Sequence, residues 1–202
     1  SDMVLVAVAA KRLGRPVKFV ETRRENYQAT THGRDHITDL EVAGTRDGTI
    51  TGLRVKTVAN LGAYLSTIAP GIPTTLYGRM LSGPYTFPNI YCEVTGVYTN
   101  TAMVDAYRGA GRPEATYAVE RAVELFADEI GMDPAAVRRR NFIAPEAFPY
   151  SPGVLNVRAG QLSYDSGNYA PALDKALAAI GYAGLDGAKA EARSRGKYLG
   201  VG

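Results

Sequence analysis

In 202 residues the chain has one cysteine (Cys92), no tryptophan and two histidines (His32 and His36). A single thiol excludes an internal disulfide framework and any multi-cysteine zinc or iron–sulfur site held by this chain alone. Two histidines in one short loop leave no Ser-His-Asp arrangement to argue. No apolar run approaches the roughly 20 residues that span a bilayer. The apolar start, Val4 to Ala10, is too short for a signal peptide and is interrupted by Lys11 and Arg12. Charge of one sign is missing as well. The 23 Lys and Arg against 20 Asp and Glu give a net charge of +3, which argues against nucleic acid or an anionic membrane surface as partner. What is present is 46% hydrophobic residues with 22 Gly and 11 Pro, the composition of a soluble, cytoplasmic globular domain rich in turns.

Along the chain, strands come early and helices late, an α+β pattern. Asp2 to Leu13 is apolar on nearly every face and reads as a buried helix stopped by Gly14. Pro16 to Glu21 reads as a short strand, followed by a polar segment to Asp35. Ile37 to Ala43 and Thr49 to Ala59 flank Asp47-Gly48, a hairpin turn signal. Asn60 to Thr75 reads as loop or broken helix, Gly83-Pro84 as a turn and Tyr91 to Asn100 as a strand. Pro113 to Ile130 carries one apolar stripe and is the clearest helix, ended by Gly131. Asp133-Pro134 opens a second helix, to about Arg140. Residues 145–167 read as irregular, and helices return over Tyr169 to Ile180 and Leu185 to Arg195. Lys197 to Gly202 resembles the opening of a strand. The expected organisation is one domain over 1–202, with 145–202 a less regular C-terminal extension.

The stretch with most chemistry is Asp105-Ala106-Tyr107-Arg108-Gly109-Ala110-Gly111-Arg112-Pro113-Glu114. Glycines let the backbone approach a ligand closely, and Pro113 opens a helix whose first N–H groups are unpaired. With Arg108 and Arg112 bracketing the glycines, the loop is built like an anion clamp; the alternative is a tight turn with solvated arginines. It lacks the third glycine of a dinucleotide fingerprint and the Gly-Lys-Ser/Thr of a P-loop. Glu114 is assigned to the helix N-terminus. His32 and His36 are four apart, but Gly33 between them and the strand that follows argue against a shared helix face, and so against a metal. Arg34 is a candidate polar contact reaching into a cleft. Arg138-Arg139-Arg140 reads as a solvated helix end, and Cys92 as a buried apolar strand residue rather than a nucleophile. Tyr64, Tyr77, Tyr85 and Tyr107 suit either a pocket or the core.

Ala106 to Ala115 resembles the active-site loop of the molybdenum hydroxylase large subunits, the xanthine dehydrogenase, aldehyde oxidase and aerobic carbon monoxide dehydrogenase relatives. The resemblance runs along the chain, through Leu13 to Lys18 with Glu21-Thr22-Arg23, Ala29 to His36, Gly62-Ala63-Tyr64, Gly83-Pro84-Tyr85, Thr99-Asn100-Thr101, Arg139 to Phe142 and Tyr164 to Gly167. It implies a molybdopterin-binding domain of a large subunit, with a molybdenum–molybdopterin cofactor in its cytosine dinucleotide form. The implied reaction is hydroxylation of an aldehyde, heteroaromatic or related substrate with oxygen from water. The implied cofactor-binding residues are Arg108, Gly109, Ala110, Gly111 and Arg112, with Arg108 beside the molybdenum without ligating it. Arg34 and Ala110 are implied on the substrate side, Ala110 standing where purine-oxidising members place a phenylalanine. Gly109 stands where members that oxidise carbon monoxide place a copper-binding cysteine, which disfavours that activity. The family's Gly-Gly-Phe-Gly loop is implied to precede Ser1 and its catalytic glutamate to follow Gly202, so no catalytic residue is expected here and the isolated chain is expected to be inactive. The remaining domains of the large subunit and iron–sulfur and FAD subunits are the implied partners, with no nucleic acid and no membrane span. The alternative is a non-catalytic domain that binds an anion or a partner.

Overall fold

The computed structural model describes residues 2–153, 155–156 and 160–201. Positions 154, 157–159 and 202, within the irregular stretch and the C-terminal strand expected from sequence, lie outside the described residues.

The Asp47-Gly48 turn joins β1 (His36–Gly44) to β2 (Ile50–Gly62) as an antiparallel pair, with Leu40 opposite Val55. Along β2 the buried residues Leu53, Val55, Thr57, Ala59 and Leu61 alternate with exposed ones, the period of a half-buried strand. β3 (Ile90–Tyr98) joins the other edge of β2 parallel to it, after the 63–89 crossover, giving the order β1-β2-β3. The crossover carries a 3-10 turn, Ala69–Gly71, and a π-helical turn, Ile72–Leu76, so the broken helix expected there is present.

One face of the sheet is covered by α3 (Arg112–Ile130), whose Ala115, Ala118, Val119, Ala122, Val123, Phe126 and Ala127 are buried. Those positions form one stripe of a 3.6-residue period, so one side of the helix packs while the other stays in water. Gly131, at φ 67°, ends it with its N–H turned back on Ala127 and Asp128. Tyr77, Leu81, Tyr85 and Phe87 from the crossover complete the core. The two tyrosines therefore belong to the core, whereas Tyr64 and Tyr107 are exposed. α4 (Pro134–Asn141) is capped by Asp133, which accepts from the Ala135 and Ala136 amides. At its far end the buried Asn141 closes the hairpin: its Nδ2 donates to the Gly48 and Val137 carbonyls at 2.8 Å, and its Oδ1 accepts from the Ile50 amide at 2.9 Å.

Several expectations are corrected. Pro16 to Glu21 forms no strand; the segment is extended without a ladder and leads into α2 (Arg23–Ala29). Helix α2 has a capping box, Thr22 with Glu25, inside what reads as a polar segment. The helix α1 (Asp2–Leu13) forms, but none of its residues is buried, and Met3 and Leu5 are 82% and 67% exposed. The three arginines of α4 are paired rather than free: Arg139 and Arg140 are exposed as expected but meet Asp174 and Asp47, whereas Arg138 is largely covered and pairs with Glu120 and Glu124. Beyond α4, a two-residue ladder of β4 (Leu155–Asn156) and β5 (Gly160–Gln161) precedes α5 (Ala170–Ala179) and α6 (Leu185–Ser194). No described helix is long and apolar enough to cross a membrane.

Replacing Asn141 by Leu removes three hydrogen bonds and strands buried partners on the hairpin, so a loss of about 2–4 kcal/mol is expected. Denaturant unfolding of the variant beside the parent checks this.

Candidate functional site

One end of the sheet gathers every chemistry-bearing stretch of the sequence. β1 begins there at His36, while β2 and β3, parallel to each other, both end there. Asn60 ties the emerging segments together. Its Oδ1 accepts from the Thr99 hydroxyl at 2.8 Å and the Gly62 amide at 2.7 Å, and its Nδ2 donates to Asp35 at 2.7 Å and Thr101 at 3.2 Å. Gly62, at φ 77°, leaves room for 102–103 to cross: a Cβ there would lie 2.4 Å from the Ala102 carbonyl oxygen. The His32–Val104 bridge then lays 31–35 beside 103–107, where a Cβ on Gly33 would lie 2.9 Å from that of Tyr107.

The 105–114 loop follows. Gly109, Ala110 and Gly111 have φ of 100°, 44° and 89°, three successive residues in left-handed conformations. Gly111 is wedged against the crossover; a Cβ would meet the Ile72 carbonyl oxygen at 2.5 Å and the Tyr77 nitrogen at 2.9 Å. The Ala110 amide closes a turn on Tyr107 and the Arg112 amide one on Gly109. The amides of Arg108, Gly109 and Gly111 make no intramolecular hydrogen bond among the described residues.

The arginines divide in role. Arg112 Nη1 donates to the Gly109 carbonyl at 3.2 Å and so braces its own loop. Arg108 is exposed, and its guanidinium has no polar partner among the described residues. Arg34, a non-glycine residue at φ 61°, folds beneath the loop. Its Nη2 donates to the Arg108 carbonyl, its Nε lies 3.7 Å from Glu114 Oε1, and its guanidinium sits 4.5 Å from the Tyr107 ring centre. Arg34 is thus engaged inside the loop, which the sequence alone does not suggest. Glu114 is not simply a helix-terminal charge: its side chain is only 10% exposed and is aimed at Arg34. Sequence reasoning also missed Asn60 and the position of His36; the only sequence signal for Glu114 is its place in the first turn after a glycine loop.

Behind the loop, His36 packs edge-on against Tyr77 at 5.5 Å. Its Nδ1 and the Oε2 of Glu114 are buried and without a hydrogen-bond partner. Burial pushes the His36 imidazole below its ordinary value, opposed by the charges of Glu114 and Asp35; burial also pushes the Tyr77 hydroxyl up. His32 lies outside this cluster, with Nε2 3.2 Å from the Tyr27 carbonyl oxygen. Among the described residues no group of three His, Cys, Asp or Glu side chains is placed to hold a metal. Cys92 is partly buried, and burial pushes its thiol up, as suits a packing residue. An open cleft of about 680 Å³, lined by Thr74, Arg79, Phe87, Ile90 and Cys92, includes no residue of the loop.

The loop therefore offers donors: three amides without an intramolecular partner, that of Gly111 buried, and the exposed, unpaired Arg108 guanidinium, on a backbone braced by Arg34 and Arg112. That set suits an anionic group with oxygen acceptors. Gly111→Ala forces a Cβ into backbone at an unfavourable φ and is expected to cost at least about 2 kcal/mol, read by denaturant midpoint. Burial holds the folded His36 below its unfolded value near 6.5, so its contribution is present above about pH 6.5 and is lost as pH falls below it. Unfolding measured from pH 8 to 5 is expected to show that loss, reduced in His36→Phe.

Residues 1–142 match the family model of the molybdopterin cofactor-binding domain. The chain is 44% identical over 182 residues to the carbon monoxide dehydrogenase large chain of Hydrogenophaga pseudoflava, covering 89% of this chain and 22% of that one. Among solved structures, carbon monoxide dehydrogenase from Oligotropha carboxidovorans superposes with a TM-score of 0.76 at 40% identity, over 96% of this chain and 24% of the other. Quinoline 2-oxidoreductase from Pseudomonas putida 86 gives 0.81 at 27%, over the same shares. The chain spans about a quarter of the length of these relatives. The α+β frame is shared with these solved structures and the family match covers residues 1–142, so the chain belongs to the molybdopterin cofactor-binding domain family.

Proposed function

We propose that this chain is a cofactor-facing part of the large subunit of a molybdenum hydroxylase, with the Arg108 loop turned toward a molybdenum–molybdopterin group in its cytosine dinucleotide form. The observation that carries this reading is the set of donors left unspent on the loop: the amides of Arg108, Gly109 and Gly111 and the Arg108 guanidinium. When bound, the cofactor supplies a two-electron oxidation in which the oxygen added to the substrate comes from water.

This chain's residues bind and orient. Arg108 and the adjoining amides neutralise anionic oxygen at the loop face, where fixed donors in a site closed to water are worth far more than solvated ones. Arg112 and Gly109 hold the loop's shape. Ala110, with its small side chain, leaves room for substrate, and the partly exposed guanidinium of Arg34 is the second residue assigned to substrate contact. Residues 1–142 form the cofactor-binding unit of the domain, and 145–202 a C-terminal extension of it. The exposed apolar surface of α1, with Met3, Val4 and Leu5, fits burial against the remaining domains of the large subunit. Iron–sulfur and FAD subunits would take the electrons onward.

A second reading, oxidation of carbon monoxide, is favoured by the identity to carbon monoxide dehydrogenase large chains. It is disfavoured by Gly109, whose hydrogen side chain offers copper no ligand.

In the complete enzyme, Arg108→Ala is expected to lower turnover by about 10²-fold or more while leaving the fold intact. Wild-type turnover in that variant would overturn the assignment in favour of a non-catalytic binding domain. Elemental analysis of the same preparation is expected to give stoichiometric molybdenum without copper; stoichiometric copper would support the second reading.

A further inference from the structure

The least expected feature of the loop is what lies beneath it. Glu114 stands in the first turn of α3 with its side chain nine-tenths buried, yet makes no capping hydrogen bond. One carboxylate oxygen faces Arg34 Nε at 3.7 Å; the other is buried without a partner. Burying a carboxylate is costly unless a cation and hydrogen bonds compensate it, so this one is retained against a penalty. Its cation is no ordinary surface arginine. Arg34 sits at φ 61°, where a side chain longer than hydrogen is disfavoured, and from there it reaches the Arg108 carbonyl and covers Tyr107. Strain at Arg34 and burial of Glu114 are both offset at one place, the carbonyl of the residue whose side chain is exposed at the loop face.

We propose that Glu114 is a positioning residue: its buried carboxylate fixes the Arg34 guanidinium against the Arg108 carbonyl and so holds the Arg108 side chain and the neighbouring amides in place. The pair works as a prop with two joints. Arg34 alone has a single hydrogen bond to the loop and is free to swing toward solvent, whereas the Glu114 carboxylate, anchored on a packed helix, removes that freedom. His36 Nδ1 and the second Glu114 oxygen are both buried without a partner, and Arg34 is the only ion-pair partner of Glu114 among the described residues. The catalytic consequence rests on the reading given under Proposed function, whereas the mechanical one does not.

The loop carries its own probe. Trypsin cuts after Arg108 when the loop is released, while the bond after Arg112 is blocked by Pro113. In the large subunit, isolated within its complex from a host that does not make the cofactor, Glu114→Gln and Arg34→Gln are each expected to speed cleavage after Arg108 tenfold or more. Cleavage after Arg195 serves as reference. The double variant is expected to match either single one, because the two residues act as a unit. Glu120→Gln breaks an ion pair on the same helix but outside the prop, and is expected to leave the cleavage within twofold. Should Glu114→Gln fail to fold, Arg34→Lys, which keeps the charge but loses the fork, is expected to show the same acceleration. Unchanged cleavage in these variants, multiplying effects in the double variant, or equal acceleration by Glu120→Gln would each overturn the proposal.

In the loaded complex, Glu114→Gln is expected to lower kcat tenfold with KM within twofold; a rise in KM alone would overturn a positioning role. A wild-type complex that takes up no molybdenum, with the proteolysis pattern as expected, would sink the reading under Proposed function and support the prop.

Discussion

Three successive residues with positive φ, Gly109, Ala110 and Gly111, turn the chain back on itself just before α3, and most of the site follows from that turn. It sets the Arg108 carbonyl downward, where Arg34 receives it, and leaves the Arg108 guanidinium in solvent. It is possible only because two of the three residues lack a Cβ and because Gly111 fits between backbone atoms of Ile72 and Tyr77. The third, Ala110, accepts the strain at a position facing the proposed substrate side. A loop held this way loses little freedom when an anion binds, which makes its donors effective.

The same economy governs the rest of the fold. The hairpin, α3 and α4 are held by few but fully used polar groups: Asn141 satisfies three backbone groups at once, and Asn60 collects four partners from its own strand and two loops. Arg138 lies against Glu120 beneath the buried Tyr85, whose hydroxyl burial and that carboxylate push upward. Asn60 fixes the sheet end from which the loop emerges, whereas Asn141 holds the opposite, hairpin end. By contrast, α1 contributes nothing to the core, and its apolar residues lie open.

Local pattern made much of this legible. The Asp-Gly turn, the alternation of β2 and β3, the apolar stripe of α3 with its terminal glycine and the Asp133-Pro134 cap are each signals contained within a few residues, and each element forms where expected. The glycine loop with its two arginines was equally readable, as was the family. Failures came where the signal was ambiguous or non-local. An apolar helix implies burial, but only other parts of a structure supply the cover. Val17, Phe19 and Val20 have strand character but no strand beside them.

The sequence by itself determined most of the elements, the glycine and arginine composition of the loop and membership in the molybdopterin-binding family, because these depend on short-range periodicity, turn chemistry and residue order. Only the tertiary structure decided which arginine faces outward and which is spent internally, that Glu114 lies buried beneath the loop, and that Arg138 to Arg140 reach four separate partners. Arg34 and Arg108 are 74 residues apart. Their meeting depends on where three strands end in space, which no local pattern encodes.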